Sequence, residues 1–459
     1  MNTHITTRPD WSRLRRTATG TVAALALAAC SPSDVLDVED PDIISPANVQ
    51  SAAGADAVRV GALARLNTAT SGGESLFLLG GLFADEWING DSFIYRQQVD
   101  QRVITPENSF LDGANRALHR ARLSAIQAIP LLQTYKPTGP AWQVAEMYFV
   151  QGYVENLLAE HYCNGLVFST VVDGILEYGQ PITTAAAFQL ALEHIDAGLA
   201  LLPASANTAD DERVRNALQL TRGRILLNLD RPADAATAVA GVPTDYAYEM
   251  FHSQTTNDNA FWTFNLSSRR YSVGDVEGGT GMDFVSANDP RVPVCAGGDA
   301  ECDDIGVTAV DRDDKGIPIL VQRLWTTRGS TVAILQGVEA RLIEAEAQLA
   351  AGGSGPALTI LNDARGTVPG LVPLADAGTP EAREDQLFRE RAFWLFGRGH
   401  RVGDMRRLIR QYGRAANTVF PTGDWHKGGS YGTDVNMPVP QSEQNNPNVG
   451  GETCLDRDA

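Results

Sequence analysis

Apolar residues recur at helical spacing in long segments of this chain. Within residues 337–351, Val338, Leu342, Ala345 and Leu349 follow one another at intervals of four, three and four. This spacing places them on one face of an amphipathic helix. Comparable patterns come in pairs, which predicts helical hairpins. The pairs cover residues 142–162 with 185–202, 216–229 with 233–240, 338–351 with 356–365, and 381–396 with 402–412.

Four helix pairs predict a mainly α fold built on a tetratricopeptide-like scaffold. The pairs differ from one another in sequence, so the repeat is inferred from pattern and spacing. In the second pair, the alanine-rich run at residues 233–240 offers small side chains that let two helices approach closely. A generic all-helical protein is the alternative.

Residues 241–332 are rich in Gly, Asp, Asn and aromatic residues and lack helical periodicity. A stretch this long is uncommon as a simple connector. It predicts an irregular insertion of loops and short strands, such as Phe261–Leu266 and Ile317–Trp325, on a rigid frame that favours binding loops. No linker separates two cores, so residues 47–459 are predicted to form one domain that ends in a loop region at 413–459.

The first thirty residues have the order of a secretory signal. Four arginines, at positions 8, 13, 15 and 16, precede an apolar run from Val22 to Ala29. That run is far shorter than the roughly 20 residues of a membrane-spanning helix. It ends in Ala28-Ala29-Cys30, which looks like a bacterial lipobox. We therefore expect a lipoprotein signal peptide at residues 1–29 and a lipidated tether at 30–46, anchored through Cys30.

The charge of the chain disfavours one class of partner. It has 37 Lys and Arg against 56 Asp and Glu, a net charge of −19. Removal of residues 1–29 takes away four Arg and one Asp and makes the charge −22. Such a surface repels polyanions, so nucleic acid is not an expected partner. Neutral and cationic ligands remain open.

Four cysteines follow Cys30, and an even number in an exported protein predicts two disulfides. They are Cys163, Cys295, Cys302 and Cys454. Three connectivities are possible. Cys295 with Cys302 would close a short polar loop, which leaves Cys163 to hold the C-terminal tail through Cys454. A zinc site is disfavoured because the spacing is not CxxC and no histidine lies nearby.

The segments that match catalytic or metal-binding motifs lack the neighbouring residues or elements that those motifs require. Gly428–Gly432 matches GxSxG, but no strand and helix flank it, and the last histidine, His426, precedes Ser430. Asp311–Gly316 resembles a calcium loop, but Lys315 occupies a ligand position. No HExxH, Walker-type or GxGxxG motif occurs, and no carboxylate pair suggests a glycosidase. The chain is expected to be no enzyme and to need no cofactor or metal.

Four segments, in order, resemble the SusD/RagB family. The first is the lipobox with Leu36-Asp37-Val38 and a helix at 47–67, and the second is Glu339–Ala347, similar to the family's E-A-x-L-I-x-A-E-A helix. The third is Arg389–Arg407, with Glu390-Arg391, Gly399-His400-Arg401 and Arg406-Arg407. The last is Met437–Asn448, similar to the family's P-I-P-x-x-E…N-P-N. Trp394 and Arg398 depart from the family's glutamates. Glu390, Arg391 and Arg401 are interpreted as a structural ion network.

The resemblance implies a SusD-like α-helical scaffold and a surface lipoprotein of the outer membrane. Such a protein would bind a nutrient and deliver it to a SusC-like TonB-dependent transporter. An oligosaccharide is the first expected ligand, a peptide or other small nutrient is the alternative, and a surface glycosidase is a third hypothesis.

The early segment Asp85–Tyr95 mixes aromatic, amide and acidic side chains, as sugar sites do. In SusD-like proteins an equivalent loop contributes to the ligand surface, and the resemblance extends this role to Trp87 and Asn89. Ordinary packing is the alternative for each residue. The ligand-binding candidates are Trp87, Asn89, Asp91, Tyr95, Trp262 and Tyr271, followed by Trp425 and Tyr431 in a late loop.

Overall fold

The computed structural model describes residues 49–172, 175–450 and 454–459. The predicted signal peptide at 1–29 and the lipidated tether at 30–46, including Cys30, lie outside the described residues. Within the part of the chain that is described, no helix combines the length and the apolar character that crossing a membrane requires.

Helices dominate, as the periodicity predicted. In chain order they are α1 (Ala52–Ser71), α2 (Leu76–Phe83), α3 (Ile94–Asp100), α4 (Ser109–Tyr135), α5 (Ala141–His161), α6 (Thr184–Leu201), α7 (Ala209–Asn228), α8 (Pro232–Val239), α9 (Ala300–Asp303), α10 (Val338–Ala350), α11 (Ser354–Arg365), α12 (Pro380–Trp394), α13 (Arg401–Arg410) and α14 (Ala416–Val419). A π-helix spans Trp262–Ser267, and 3-10 helices span Glu277–Gly279 and Gln441–Asn445. The prediction of a mainly α fold is confirmed.

The helices of all four predicted pairs form, and their bounds lie within two residues of those expected, except that α7 begins at Ala209, seven residues before the predicted start. The pairs are α5 with α6, α7 with α8, α10 with α11, and α12 with α13. The first three pack side by side, whereas α12 and α13 are joined by a buried ion pair between Arg391 and Asp404. In the second pair, a Cβ added to Gly223 would lie 2.4 Å from Val239 Cγ1. Small residues therefore permit the close approach that was predicted.

The long helix α4 was not predicted. It begins after Asn108, whose side-chain oxygen accepts hydrogen bonds from the amides of Phe110 and Leu111, an N-cap that satisfies otherwise unpaired donors. α4 packs against both α1 and α5. It thereby closes the helical scaffold on the side of the early segment.

The β-structure of the described residues consists of short antiparallel pairs. The strands are β1 (Trp87–Asn89), β2 (Leu166–Val167), β3 (Thr170–Val172), β4 (Ile175–Glu177), β5 (Pro181–Ile182), β6 (Ala247–Met250), β7 (Tyr271–Val273), β8 (Val294–Ala296), β9 (Leu320–Gln322) and β10 (Val332–Gln336). They pair as β1 with β7, β2 with β5, β3 with β4, β6 with β10, and β8 with β9. The strand predicted within Ile317–Trp325 is present as β9.

The strand predicted at Phe261–Leu266 is wrong, because this segment turns into the π-helix. Its start is fixed by Asn259, whose side-chain oxygen accepts a hydrogen bond from the amide of Trp262 at 3.0 Å. The Ser268 amide then reaches back to the carbonyl of Thr263 at 2.8 Å. Such single-turn π-helices are rare and occur often at functional sites.

Glu390, Arg391 and Arg401, which were expected to form a structural ion network, all form buried ion pairs, and the partners of Glu390 are Arg291 and Arg365. Arg401 donates two hydrogen bonds of 2.7 Å to Asp85, and Arg391 donates to Asp404 at 2.7 and 2.9 Å. All four side chains are buried. Removal of one partner from such a pair leaves an uncompensated buried charge. The Asp85–Arg401 pair therefore fastens the start of the early segment to α13.

Both expected disulfides are present, Cys163–Cys454 and Cys295–Cys302. Cys163 follows α5, and its amide donates to the carbonyl of Met437 at 2.9 Å. The first disulfide thus holds the C-terminal tail beside α5. The second lies in a small apolar cluster of the insertion, apart from the main core of the helical scaffold.

Candidate functional site

Three segments that are distant in the sequence meet near β1. We call them the early loop (residues 84–93), the insertion (residues 241–332) and the late loop (residues 421–432). In the β1–β7 pair, Asn89 stands opposite Tyr271. From the late loop, Lys427 Nζ donates to the carbonyl of Asp91 at 2.6 Å. The structure therefore gathers the predicted ligand-binding residues, but it exposes only some of them.

Trp87 is fully buried and presents no face to a ligand. Its ring centroid lies 5.9 Å from that of Phe261 and 5.0 Å from that of Phe396. These contacts are typical of a core aromatic cluster. The expectation that Trp87 contacts a ligand is therefore wrong in this structure, and the ordinary packing alternative holds.

Asn89 and Tyr271 are also fully buried, which contradicts a direct ligand contact for either. The Asn89 side chain exchanges two 3.0 Å hydrogen bonds with the backbone of Asp91. The Tyr271 hydroxyl donates to Glu74 at 2.8 Å. Their polar groups are used inside the protein, so both residues shape the early loop.

Asp91 is half-buried and forms an ion pair with the buried Arg96. The Arg96 guanidinium carbon lies 5.1 Å from the ring centroid of Phe93 and 4.8 Å from that of Phe110, within cation–π range. Burial opposes the charge of Arg96, but hydrogen bonding and charges from Glu74 and Asp91 outweigh burial and raise its pKa. Arg96 is thus a permanent cation that fixes this loop.

The exposed aromatic side chain of the early loop is one that the sequence did not single out. Phe93 is 53% exposed and the adjacent Ile94 is 59% exposed. Tyr95 is half-buried, with its ring edge-on to Phe110 at 6.0 Å. The Arg270 guanidinium lies 5.7 Å from the Phe93 ring. The exposed aromatic surface of the early loop is therefore formed by Phe93, beside Arg270, and not by Trp87 as predicted.

The half-buried Trp262 packs against the apolar cluster around Cys295 and Cys302. The next two residues, Thr263 and Phe264, line an open pocket of about 330 Å³, which we call the insertion pocket. Its lining residues are Gly73, Gln254, Thr255, Thr256, Asn257, Asp258, Thr263, Phe264 and Arg328. The Arg328 guanidinium lies 5.9 Å from the Trp262 ring and pairs with Asp258 at 2.8 Å. Phe264 also lies 5.8 Å from Arg270, which connects this pocket to the Phe93 surface.

A larger groove of about 700 Å³ adjoins the insertion pocket, and the two share Thr256 and Asn257. We call it the α1 groove. Its walls include Trp142, between the guanidinium groups of Arg59 at 5.2 Å and Arg213 at 5.7 Å. Phe251, at its edge, is 72% exposed. None of these residues was predicted, because their side chains come from four separate elements and carry no common motif.

Trp425 and Tyr431 of the late loop each donate a hydrogen bond to a buried carboxylate. Trp425 is 7% exposed, and its indole nitrogen donates to Asp100 at 2.9 Å. The half-buried Tyr431 donates its hydroxyl to Glu277 at 3.1 Å. Burial raises the pKa of Asp100 to about 6, and burial with the charge of Asp100 raises the pKa of Glu277 well above its usual range.

One group of described residues has the spacing to hold a metal ion. Asp100, Glu277 and His426 each offer a ligand atom within 4.8 Å of the other two. No local pattern in the sequence indicated this group, because its members lie far apart along the chain.

Comparison with known proteins finds likeness in structure rather than in sequence. No protein-family profile and no curated protein matches the chain. A surface glycan-binding protein A from Bacteroides uniformis shares 15% identity over 87% of this chain and 99% of its own, with a TM-score of 0.66. A SusD superfamily protein from Parabacteroides distasonis shares 15% over 86% and 98%, with a TM-score of 0.63. A SusD-like carbohydrate-binding protein from Bacteroides vulgatus shares 13% over 87% and 97%, with a TM-score of 0.62.

Proposed function

We propose that this chain, which has the SusD-like fold, is an outer-membrane lipoprotein that binds an oligosaccharide and delivers it to a SusC-like TonB-dependent transporter. The SusD-like fold is the starting point of this proposal, and the lipobox at Cys30 is the sequence feature that supports a lipid anchor in the membrane. The names of its structural neighbours, a surface glycan-binding protein and a SusD-like carbohydrate-binding protein, support a glycan as the ligand.

The observation that carries the ligand class is the chemistry of the insertion pocket. Sugars present apolar C–H faces and a rim of hydroxyl groups, so they bind where aromatic rings adjoin amide, hydroxyl and charged side chains. Phe264 supplies the ring, with Trp262 behind Arg328. Asn257, Asp258 and neighbouring threonines supply donors and acceptors. The exposed Phe93 extends this surface for a chain of several sugar units.

The pocket favours binding over hydrolysis. A glycosidase needs two carboxyl groups across one glycosidic bond. Among the residues lining the insertion pocket, Asp258 is the only acid, and its two oxygens accept hydrogen bonds from Arg328 at 3.0 and 2.8 Å. We therefore propose a non-catalytic role, which incubation of purified protein with labelled glycans would contradict if products formed.

A peptide ligand is the second candidate, and the α1 groove favours it. The groove is about twice as large as the insertion pocket. Both charge signs line it, because Arg59 and Arg213 pair with Glu146 and Glu249 is also in the wall. Trp142 and Phe251 offer apolar contacts. This mixture suits an extended chain with charged and apolar side chains.

A binding screen with matched variants distinguishes the two candidates. If an oligosaccharide binds in the insertion pocket, Phe264→Ala should weaken its affinity by about tenfold or more, equal to about 1.4 kcal/mol. Isothermal titration calorimetry measures this with the best ligand from the screen. Trp394→Ala is the control, because Trp394 is half-buried on α12 and lines neither cavity.

A ligand that binds in the α1 groove should show the opposite response to these variants. A peptide ligand should lose affinity with Trp142→Ala and keep it with Phe264→Ala. A glycan that bound Phe264→Ala as tightly as the unmodified protein would contradict the pocket assignment.

A further inference from the structure

Asp100, Glu277 and His426 come together where the end of α3, a 3-10 helix of the insertion and the late loop meet. One potential ligand atom of each lies within 4.8 Å of the other two. Asp100 is 1% exposed and Glu277 is 8% exposed, while the His426 side chain is 15% exposed. None of the three lines the insertion pocket or the α1 groove.

Each carboxylate has one oxygen held by the protein and one oxygen without a partner. Asp100 Oδ2 accepts from the amide of Asn89 at 3.2 Å and from Trp425 at 2.9 Å, but Oδ1 has no hydrogen-bond partner. Glu277 Oε1 accepts from Tyr431 at 3.1 Å, but Oε2 has none. Buried unsatisfied oxygens are uncommon in native proteins, because their desolvation is left uncompensated.

The imidazole of His426 is oriented in the same way. Its Nε2 lies 3.2 Å from the carbonyl oxygen of Asn89, so Nε2 carries the proton and donates it. Nδ1 then keeps its lone pair and has no hydrogen-bond partner, 3.7 Å from Asp100 Oδ2. Metal-binding histidines are usually held like this, with one ring nitrogen donating to a backbone carbonyl and the other free to coordinate.

We propose that Asp100, Glu277 and His426 bind one divalent transition-metal ion of the zinc class. One imidazole nitrogen and two carboxylates form a donor set that suits zinc, with water as the fourth ligand. Calcium requires six to eight oxygen ligands, which these three side chains do not supply. Ligand atoms around zinc are about 3.3 Å apart, so the side chains need to close by no more than about 1.5 Å on binding.

The ion would fasten three segments whose positions define the early loop. Asp100 ends α3, Glu277 belongs to the insertion, and His426 contacts the backbone of Asn89 in β1. Binding therefore stabilises the folded arrangement of the late loop, in the way that any ligand of the native state does. This inference does not rest on the proposed function, since it concerns no glycan and no transporter.

The test measures zinc binding by the untagged chain from residue 31 onward, with both disulfides formed and prior dialysis against a chelator. Calorimetric titration and elemental analysis should find about one zinc per chain, and thermal unfolding should shift upward by a few degrees. X-ray absorption of the loaded protein should show nitrogen and oxygen ligands with one imidazole and no sulfur.

Glu277→Gln is the most informative variant, because its amide oxygen still accepts the Tyr431 hydrogen bond. This variant and His426→Ala should each weaken zinc binding by at least about tenfold, and His426→Ala should remove the imidazole signal. Glu344→Gln on α10 and His252→Asn in the insertion are controls, and both should bind as the unmodified chain does. Substoichiometric zinc, a preference for calcium or magnesium, or unchanged binding by Glu277→Gln and His426→Ala would overturn the proposal.

Discussion

At the scale of single residues, burial separates the two aromatic side chains of the early loop. Trp87 is 0% exposed and Phe93 is 53% exposed, although only six positions separate them in one polar segment. A three-residue strand followed by a turn has no periodicity long enough to show which side chain points inward. The assignment of Trp87 to the ligand followed the family resemblance, and the position of the loop against Phe261 and Phe396 reverses it.

Replacement of the two residues should therefore affect stability very differently. We expect Trp87→Ala to lower the free energy of unfolding by about 3 to 5 kcal/mol, because it leaves a cavity in the core. Phe93→Ala should change it by no more than about 0.5 kcal/mol, as is usual for an exposed position. Urea unfolding followed by circular dichroism compares them. Equal losses for the two variants would contradict the burial of Trp87.

Glu86 is a buried residue of the early loop whose ionisation should make the stability of the protein depend on pH. Burial raises its pKa from about 4.5 to about 8, and its Oε2 has no hydrogen-bond partner. Between these two values the folded chain keeps the proton and the unfolded chain has released it, so stability falls as pH rises through this window. The contribution of Glu86 is at most about 1.4 kcal/mol per pH unit.

Glu86→Gln removes this titration while keeping the size of the side chain. The stability of the variant relative to the unmodified protein should therefore increase from pH 5 to pH 8. Urea unfolding of both proteins at each pH unit measures the difference. A difference that stays constant across this range would show that Glu86 is ionised in the folded state.

At the scale of elements, covalent and ionic ties hold the loops to the helices. The C-terminal tail is joined to the end of α5 by Cys163–Cys454 and by backbone hydrogen bonds at Met437. The second disulfide acts within the insertion alone. The two cross-links differ in sequence separation, 291 residues against 7, and a longer closed loop removes more entropy from the unfolded chain.

This difference predicts unequal costs for removing the two disulfides. The double variant Cys163→Ala/Cys454→Ala should lose about 5 kcal/mol of unfolding free energy, and Cys295→Ala/Cys302→Ala about 2 kcal/mol. Guanidinium unfolding without reductant compares the two variants. A larger loss for the short loop would mean that local packing in the insertion, rather than chain entropy, dominates.

At the scale of the whole molecule, the proposed role depends on where the protein is held. In the proposed role, loops of the insertion would form the binding surface on the helical scaffold, and a net charge of −19 disfavours anionic ligands. Acyl chains on Cys30 would keep this surface at the membrane, beside a transporter. The lipid anchor and the transporter partner can therefore be tested together in cells.

Cys30→Ala should release the protein from the outer-membrane fraction, because it removes the site of acylation. Fractionation and immunoblotting measure this, with Cys295→Ala/Cys302→Ala as a control that keeps the lipobox. Affinity purification of the unmodified protein from detergent-solubilised membranes should recover a TonB-dependent barrel. Membrane retention of Cys30→Ala would contradict the anchor, and repeated purification without a barrel would contradict the transporter partner.

The sequence alone determined the features that depend on local order. Periodic apolar residues predicted the four helix pairs, because a helix aligns residues three and four apart whatever the surroundings. The family resemblance singled out Glu390, Arg391 and Arg401, which were interpreted as an ion network, and the even number of cysteines indicated two disulfides. The π-helix at Trp262 was missed because its start is set by the Asn259 side-chain oxygen, which accepts a hydrogen bond from the Trp262 amide, rather than by strand propensity.

The tertiary structure alone decided which polar and aromatic residues face outward and which meet. Trp87, Asn89 and Tyr271 became buried when β1 paired with β7, whereas Trp262 remained half-buried. The carboxylates of Asp100 and Glu277 meet His426 only because α3, the insertion and the late loop converge. Exposure and convergence depend on contacts between residues far apart in the chain, and no local pattern in the sequence records them.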